Sequence, residues 1–246
     1  MRKTKPGIHI MGERPLVDEL AALCSTHGLR VSVGLNPGEK AAEKRSSRST
    51  RSTVPADTVI GVELTNLDFD RKRSNLEKLD RALKKTNSVI LSSSVTVTAS
   101  EQASWITRPD RLVGISALPS LLSRQLIEFA ATPRTTKAAL MRAQEFFIQL
   151  GKEVSVVQDR AGMVMPRILC MIINEAYFAL QEDIASPKDV DVAMKLGTNY
   201  PQGPIEWGEK IGLRYVEATL RALTRDLAED RYRVAPLLKQ ITASHV

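Results

Sequence analysis

The chain has few aromatic residues, cysteines and histidines, and these shortages exclude several kinds of site. Phenylalanine, tryptophan and tyrosine together make up only 4% of the 246 residues, which disfavours the stacked aromatic platforms of single-strand nucleic-acid binders. The two cysteines, Cys24 and Cys170, lie far apart, and no C-x-x-C pair or His/Cys cluster has metal-site spacing. We therefore predict reduced and buried thiols, no metal site, and a cytoplasmic location.

Long apolar runs are also missing. No stretch approaches the roughly 20 apolar residues that a transmembrane helix requires, so no membrane association is predicted. The basic segment 1–6 is not followed by the hydrophobic core of a secretory signal. Hydrophobic residues make up 43% of the chain, an ordinary globular value, and the length suffices for one large domain or two modest ones.

The formal net charge is +7, and much of it is concentrated between Lys40 and Arg51. Lysines and arginines alternate there with serines and alanines, which is typical of a solvated loop that is too polar to be buried. The alternative is a patch that binds phosphates, either of a nucleotide or of a nucleic acid. The solvated loop is the favoured interpretation.

The first part of the chain alternates between short apolar strands and amphipathic helices. Strands are predicted at 7–11, 29–35, 58–64, 88–92 and 112–116, with helices at 15–26 and 71–85. A strand, a helix and a second strand in succession indicate parallel pairing with a right-handed crossover. The pattern therefore predicts a doubly wound, Rossmann-like α/β domain.

The second part of the chain is helical. A helix is predicted at 135–150 and a last strand at 154–157, and only helices follow Gly162. Ser186 is predicted as a helix N-cap residue, with Pro187 at the first helical position and Gly197 at the end of that helix. We place the boundary near residue 159, so that an α/β domain (1–159) precedes an all-α domain (160–246).

Three segments of the second domain carry a family resemblance. They are Ala185–Gly197 (ASPKDVDVAMKLG), Asn199–Glu206 (NYPQGPIE) and Tyr232–Leu238 (YRVAPLL). This part of the chain resembles the C-terminal domain of the 3-hydroxyacyl-CoA dehydrogenases, which oxidise a 3-hydroxyacyl thioester with NAD. The resemblance implies an NAD-binding first domain, a second domain that forms a homodimer, and an acyl-CoA ligand. The domain has more apolar residues than one small helical domain needs for its own core, which supports the dimer; examples are Met171, Ile172, Leu220 and Leu223.

The loop that should bind NAD departs from the family's pattern. Relatives carry G-x-G-x-x-G after the first strand, whereas this chain reads GERPLV, and only Gly12 remains. Arg14 places a side chain where the backbone should meet phosphate, and Pro15 removes a donor. The acid that ends the second strand and binds ribose is replaced by Gly34. NAD is thus the family's cofactor, and these residues predict weak binding here.

The catalytic positions are also altered. Ser116 stands where the family has its histidine base, and a hydroxyl is too weak a base near neutral pH without an activator. The acidic partner is retained as Glu128, and Ser94 matches the serine that contacts substrate in relatives. Pro166 replaces an asparagine and is predicted in the first turn of a helix. The chain's histidines lie elsewhere, at positions 9, 27 and 245.

Three functions follow from these observations. The first is a divergent family member with weakened or lost NAD binding and dehydrogenase activity, which binds an acyl-CoA or a partner protein. The second is an active NAD-dependent 3-hydroxyacyl-CoA dehydrogenase of fatty-acid metabolism. The third is a basic nucleic-acid-binding protein, which only the run from Lys40 to Arg51 supports. The altered chemistry favours the first.

Overall fold

The computed structural model describes residues 7–34, 49–51, 53–83, 88–120, 122 and 124–244. Its strands form one eight-stranded sheet in the order β3-β2-β1-β4-β5-β6-β7-β8. The strands are β1 Gly7–Gly12, β2 Arg30–Gly34, β3 Ser49–Arg51, β4 Thr58–Leu64, β5 Val89–Ser93, β6 Leu112–Ile115, β7 Leu126–Ala131 and β8 Glu153–Val157. All neighbouring strands pair in parallel except β6 and β7, which are antiparallel.

Over the described ranges, four helices accompany the sheet and five form the second domain. The first group is α1 Leu16–Thr26, α2 Phe69–Ala82, α3 Ala99–Ala103 and α4 Lys137–Gln149. The second group is α5 Met165–Gln181, α6 Pro187–Thr198, α7 Pro204–Ile211, α8 Leu213–Leu227 and α9 Pro236–Ala243, and short 3-10 turns occur at Pro109–Arg111 and Asp230–Tyr232. The predicted fold class, a Rossmann-like sheet followed by an all-α domain, is confirmed.

The chain order places a topological switch point between β1 and β4. From β1 the chain proceeds outward to β2 and β3, then returns to the other side of β1 to form β4. In open α/β sheets, ligands bind at the carboxyl ends of the strands at such a point. The loops after β1 and β4 therefore frame the candidate site.

Local capping explains where several helices begin. The Asp68 carboxylate accepts the Arg71 N–H at 2.9 Å at the start of α2. The Ser186 hydroxyl accepts the Asp189 N–H at 3.2 Å at the start of α6, and Pro187 occupies the first position as predicted. Such side-chain acceptors satisfy N–H groups that have no partner within the helix.

The apolar stripes of the second domain serve its own core first. Leu220 and Leu223 are fully buried within the single chain, where they pack with residues of α5 and α7. These two leucines are therefore part of the domain's own core, and the expectation that they exceed its needs is wrong. Among the described residues, no helix combines the length and apolar character required to cross a bilayer.

Candidate functional site

The strand β1 ends in direct contact with its neighbour β4. A Cβ atom on Gly12 would lie 2.6 Å from the carbonyl carbon of Leu64, and Gly12 has a φ of +141°. Both facts require glycine at this position. The Glu13 N–H then donates to the Leu64 carbonyl at 3.3 Å, so the chain stays against β4 beyond the end of β1.

Glu13 turns its carboxylate into the loop that follows β4. The carboxylate accepts backbone N–H groups from Asn66 at 3.0 Å, from Leu67 at 2.9 Å and from Asp68 at 3.2 Å. Only 8% of Glu13 is exposed. From the sequence alone, Glu13 only adds a negative charge to this loop, and nothing in the sequence signals these three bonds.

The position of the missing acid, Gly34, lies beside β1 at the end of β2. A Cβ atom there would approach the Met11 Cγ atom to 2.9 Å and the His9 Nε2 atom to 3.4 Å. A larger side chain at position 34 would therefore require Met11 to move. Glycine at position 34 leaves the space that the Met11 side chain occupies, and an acidic side chain there would collide with it.

Ser116 and Glu128 are brought together, but not as a base and its partner. The Ser116 hydroxyl accepts the Glu128 N–H at 3.0 Å, and the Ser116 N–H donates to the Glu128 carbonyl at 3.0 Å. The Glu128 carboxylate instead accepts the N–H groups of Val164 at 3.0 Å and Met165 at 2.8 Å, at the start of α5. Pro166 lies in the first turn of that helix, as predicted.

Ser94 lies at the same end of the sheet and is fully buried. Its hydroxyl accepts a hydrogen bond from the Gln102 side chain at 3.2 Å. On its other side, a Cβ atom on Gly114 would come within 2.4 Å of that hydroxyl. These neighbours occupy the space around the hydroxyl. The role of Ser94 in contacting substrate stays a prediction.

A buried ion pair beneath the loop was not predicted. The Lys72 ammonium donates to the Glu63 carboxylate at 2.6 Å and to the Thr65 carbonyl at 2.8 Å, and both charged side chains are at most 1% exposed. The Thr65 N–H, Asn75 and Ser92 donate to the remaining positions of the carboxylate. The only trace in the sequence is a glutamate within an otherwise apolar strand.

Other predicted features have simpler outcomes. Cys24 and Cys170 are free, buried thiols, and burial raises the pKa of each to about 12, which makes them poor nucleophiles. Within the part of the chain that the structure describes, no group of His, Cys, Asp and Glu could hold a metal ion. The basic run falls outside the described residues up to Arg48, and only the backbone of 49–51 is described, as β3.

Comparison with known families assigns both domains. Residues 18–160 match the family model "3-hydroxyacyl-CoA dehydrogenase, NAD binding domain", and residues 162–245 match "3-hydroxyacyl-CoA dehydrogenase, C-terminal domain". The first match begins after the loop from which the glycines are missing.

Relatives of similar sequence point to the same family. A 3-hydroxybutyryl-CoA dehydrogenase of Bradyrhizobium diazoefficiens is 32% identical over 183 residues, which cover 74% of this chain and 62% of that protein. A 3-hydroxyadipyl-CoA dehydrogenase of Escherichia coli is 32% identical over 188 residues, covering 75% of this chain and 37% of the longer enzyme. The chain thus spans less than two thirds of these two relatives.

Solved structures give the same result over nearly the whole chain. The (S)-3-hydroxybutyryl-CoA dehydrogenase of Ralstonia eutropha superposes with a TM-score of 0.79 at 26% identity, covering 98% of this chain and 95% of that one. FadB2 of M. tuberculosis has the same fold, with a TM-score of 0.85 at 20% identity and coverage of 99% and 95%. With both domain models matched, the chain belongs to the 3-hydroxyacyl-CoA dehydrogenase family.

Proposed function

We propose that this protein is a divergent family member with weakened or lost dehydrogenase activity, which acts by binding an acyl-CoA or a partner protein. The observation that carries the proposal is the state of the Ser116 and Glu128 pair. The hydroxyl is bonded to the Glu128 backbone, and the carboxylate is bonded to two N–H groups of α5. Neither the Ser116 hydroxyl nor the Glu128 carboxylate is therefore free to accept the proton of a substrate hydroxyl.

The loop geometry supports weak NAD binding for a separate reason. A dinucleotide phosphate needs backbone N–H groups and close approach at the end of β1. Directly after β1, the buried Glu13 places a carboxylate at this point and accepts three N–H groups of the loop after β4. Met11 lies beside Gly34, where relatives have the acid that binds ribose. A second anion would meet a negative charge in place of free donors, so these residues do not fit the cofactor.

Titration with NADH tests this proposal. Trp105 is a suitable fluorescent reporter, because its ring packs edge-on against Phe69, the first residue of α2, with 5.0 Å between ring centroids. We expect no saturable change up to about 1 mM NADH, since several charge-assisted hydrogen bonds worth about 1.5–3 kcal/mol each are missing. A micromolar dissociation constant by calorimetry would contradict the proposal.

The second candidate is an active NAD-dependent 3-hydroxyacyl-CoA dehydrogenase. The observation in its favour is that the similar curated proteins carry dehydrogenase names and that both domain models match. This candidate predicts tight NADH binding together with turnover, whereas the first predicts neither. The nucleic-acid hypothesis predicts salt-sensitive retention on DNA.

We also propose a homodimer, formed through the helical domain. Leu196 is 83% exposed and Ile184 is 68% exposed, and Ile168 and Val192 add to the exposed apolar surface of this domain. Such surface is unusual unless it is covered by a partner.

Light scattering at micromolar concentration should give twice the 27.2 kDa of one chain. Leu196→Glu should shift the mass toward one chain, while Lys188→Glu, at an exposed polar position of the same helix, should leave it unchanged. A wild-type protein of single-chain mass would refute the dimer.

A further inference from the structure

The loop after β4 presents three successive backbone N–H groups to one point. They belong to Asn66, Leu67 and Asp68, and all three donate to the carboxylate of Glu13 at 2.9–3.2 Å. Successive N–H groups that converge in this way form a concave site for an anion. Hydrogen bonds to an ionised acceptor are about twice as strong as neutral ones. The chain thus holds an anion site whose occupant is its own side chain.

The residues around Glu13 are fixed from two further directions. The Arg71 guanidinium of α2 donates to the Gly12 carbonyl at 2.6 Å. From the helical domain, the Tyr215 hydroxyl of α8 donates to the Arg14 carbonyl at 3.2 Å. Burial, and then the neighbouring Glu13 carboxylate, raise the pKa of Tyr215, so this hydroxyl remains a donor. Sheet, α2 and helical domain all meet at the segment 12–14.

We propose that Glu13 is an internal anionic ligand, which ties the end of β1 to the loop after β4 and helps to hold α8 against this end of the sheet. The chemistry it replaces is that of a small carboxylate or a phosphate group, either of which could accept the same three N–H donors. Removal of the side chain should therefore create a site for such anions. The contact forms whether or not any dehydrogenase activity is retained.

The test is rescue of Glu13→Ala by free anions. The variant should unfold roughly 5–10 °C below the wild type, because three charge-assisted bonds are lost. Sodium acetate or sodium phosphate from about 1 to 100 mM should raise its midpoint progressively at constant ionic strength, by mass action on the folded state. Sodium chloride should have no comparable effect, and the wild type should not respond to acetate or phosphate.

Asp70→Ala is the matched control. Asp70 is an exposed carboxylate in the first turn of α2, and it makes none of the bonds to the three N–H groups. Its removal should shift the midpoint only slightly and produce no response to acetate or phosphate. Anion-independent melting of Glu13→Ala, or an equal response in the control or the wild type, would overturn the proposal.

A second variant covers the case in which Glu13→Ala does not fold. Glu13→Gln keeps the shape and one acceptor oxygen but loses the charge. In Glu13→Gln, the N–H groups of Asn66, Leu67 and Asp68 should exchange with solvent deuterium at least about tenfold faster than the same groups in Asp70→Ala. Equal protection in the two variants would mean that the carboxylate does not hold this loop, and it would overturn the proposal independently of the NADH titration.

Discussion

Replacement of Lys72 by methionine should lower the free energy of unfolding by about 3–5 kcal/mol. Lys72 and Glu63 are both buried, and the ammonium donates to the carboxylate at 2.6 Å. Methionine fills a similar volume, yet it leaves the Glu63 carboxylate without its counter-charge in a place that water does not reach. Breaking a buried ion pair from one side costs more than the pair contributes, because the remaining charge is uncompensated. Urea denaturation followed by circular dichroism measures the change.

Two further variants separate this effect from loss of a lysine in general. Lys78→Met removes an exposed lysine from the same helix, α2, and should change stability by less than about 0.5 kcal/mol. The double variant Glu63→Gln with Lys72→Met removes both charges and keeps an acceptor for the Thr65 N–H. It should recover a large part of the loss. A single variant as stable as Lys78→Met would show that the pair is not buried in solution.

This protein should oxidise 3-hydroxybutyryl-CoA with NAD more slowly than an active family member assayed in parallel. We expect the rate to be lower by about 10²- to 10⁴-fold or more. That is the usual effect of losing a positioned base. Ser116 cannot supply the base, and the Glu128 carboxylate is held by the N–H groups of Val164 and Met165. Weak cofactor binding would lower the rate further. The measurement is NADH formation at 340 nm under saturating substrate.

Ser116→His distinguishes a missing base from a loss of cofactor binding, with Ser116→Ala as the control. We expect both variants to stay within about tenfold of the wild type, because restoring an imidazole neither frees Glu128 nor removes the Glu13 carboxylate from the end of β1. A gain of 10² or more in Ser116→His would mean that the cofactor still binds and only the base is missing. Wild-type turnover at the rate of the active relative would contradict the proposed loss of activity and favour the second candidate.

Much of the fold could be predicted because its signals are local. The strand Thr58–Leu64 was predicted with the bounds observed for β4. The helix and strand predicted after it differ from the observed α2 and β5 by at most three residues at each end. The strand β7 was missed although its segment LIEFAA is largely apolar, because only pairing with β6 and β8 places it in the sheet. The strand β3 was missed because it lies in the polar basic run.

For the candidate site, the sequence by itself determined which chemical groups are absent. Each absence is a property of a single residue and can be read without knowing the packing around it. The absences are the missing loop glycines, the acid replaced by glycine at position 34 and the histidine replaced by serine at position 116. Only the tertiary structure decided what the remaining groups do. The partners of Glu13 lie 53 to 55 residues away, and Glu128 meets the start of α5 36 and 37 residues later. Contacts over such separations depend on how strands and helices pack, because the direction in which a buried carboxylate finds its donors is fixed by neighbouring elements and not by its own segment.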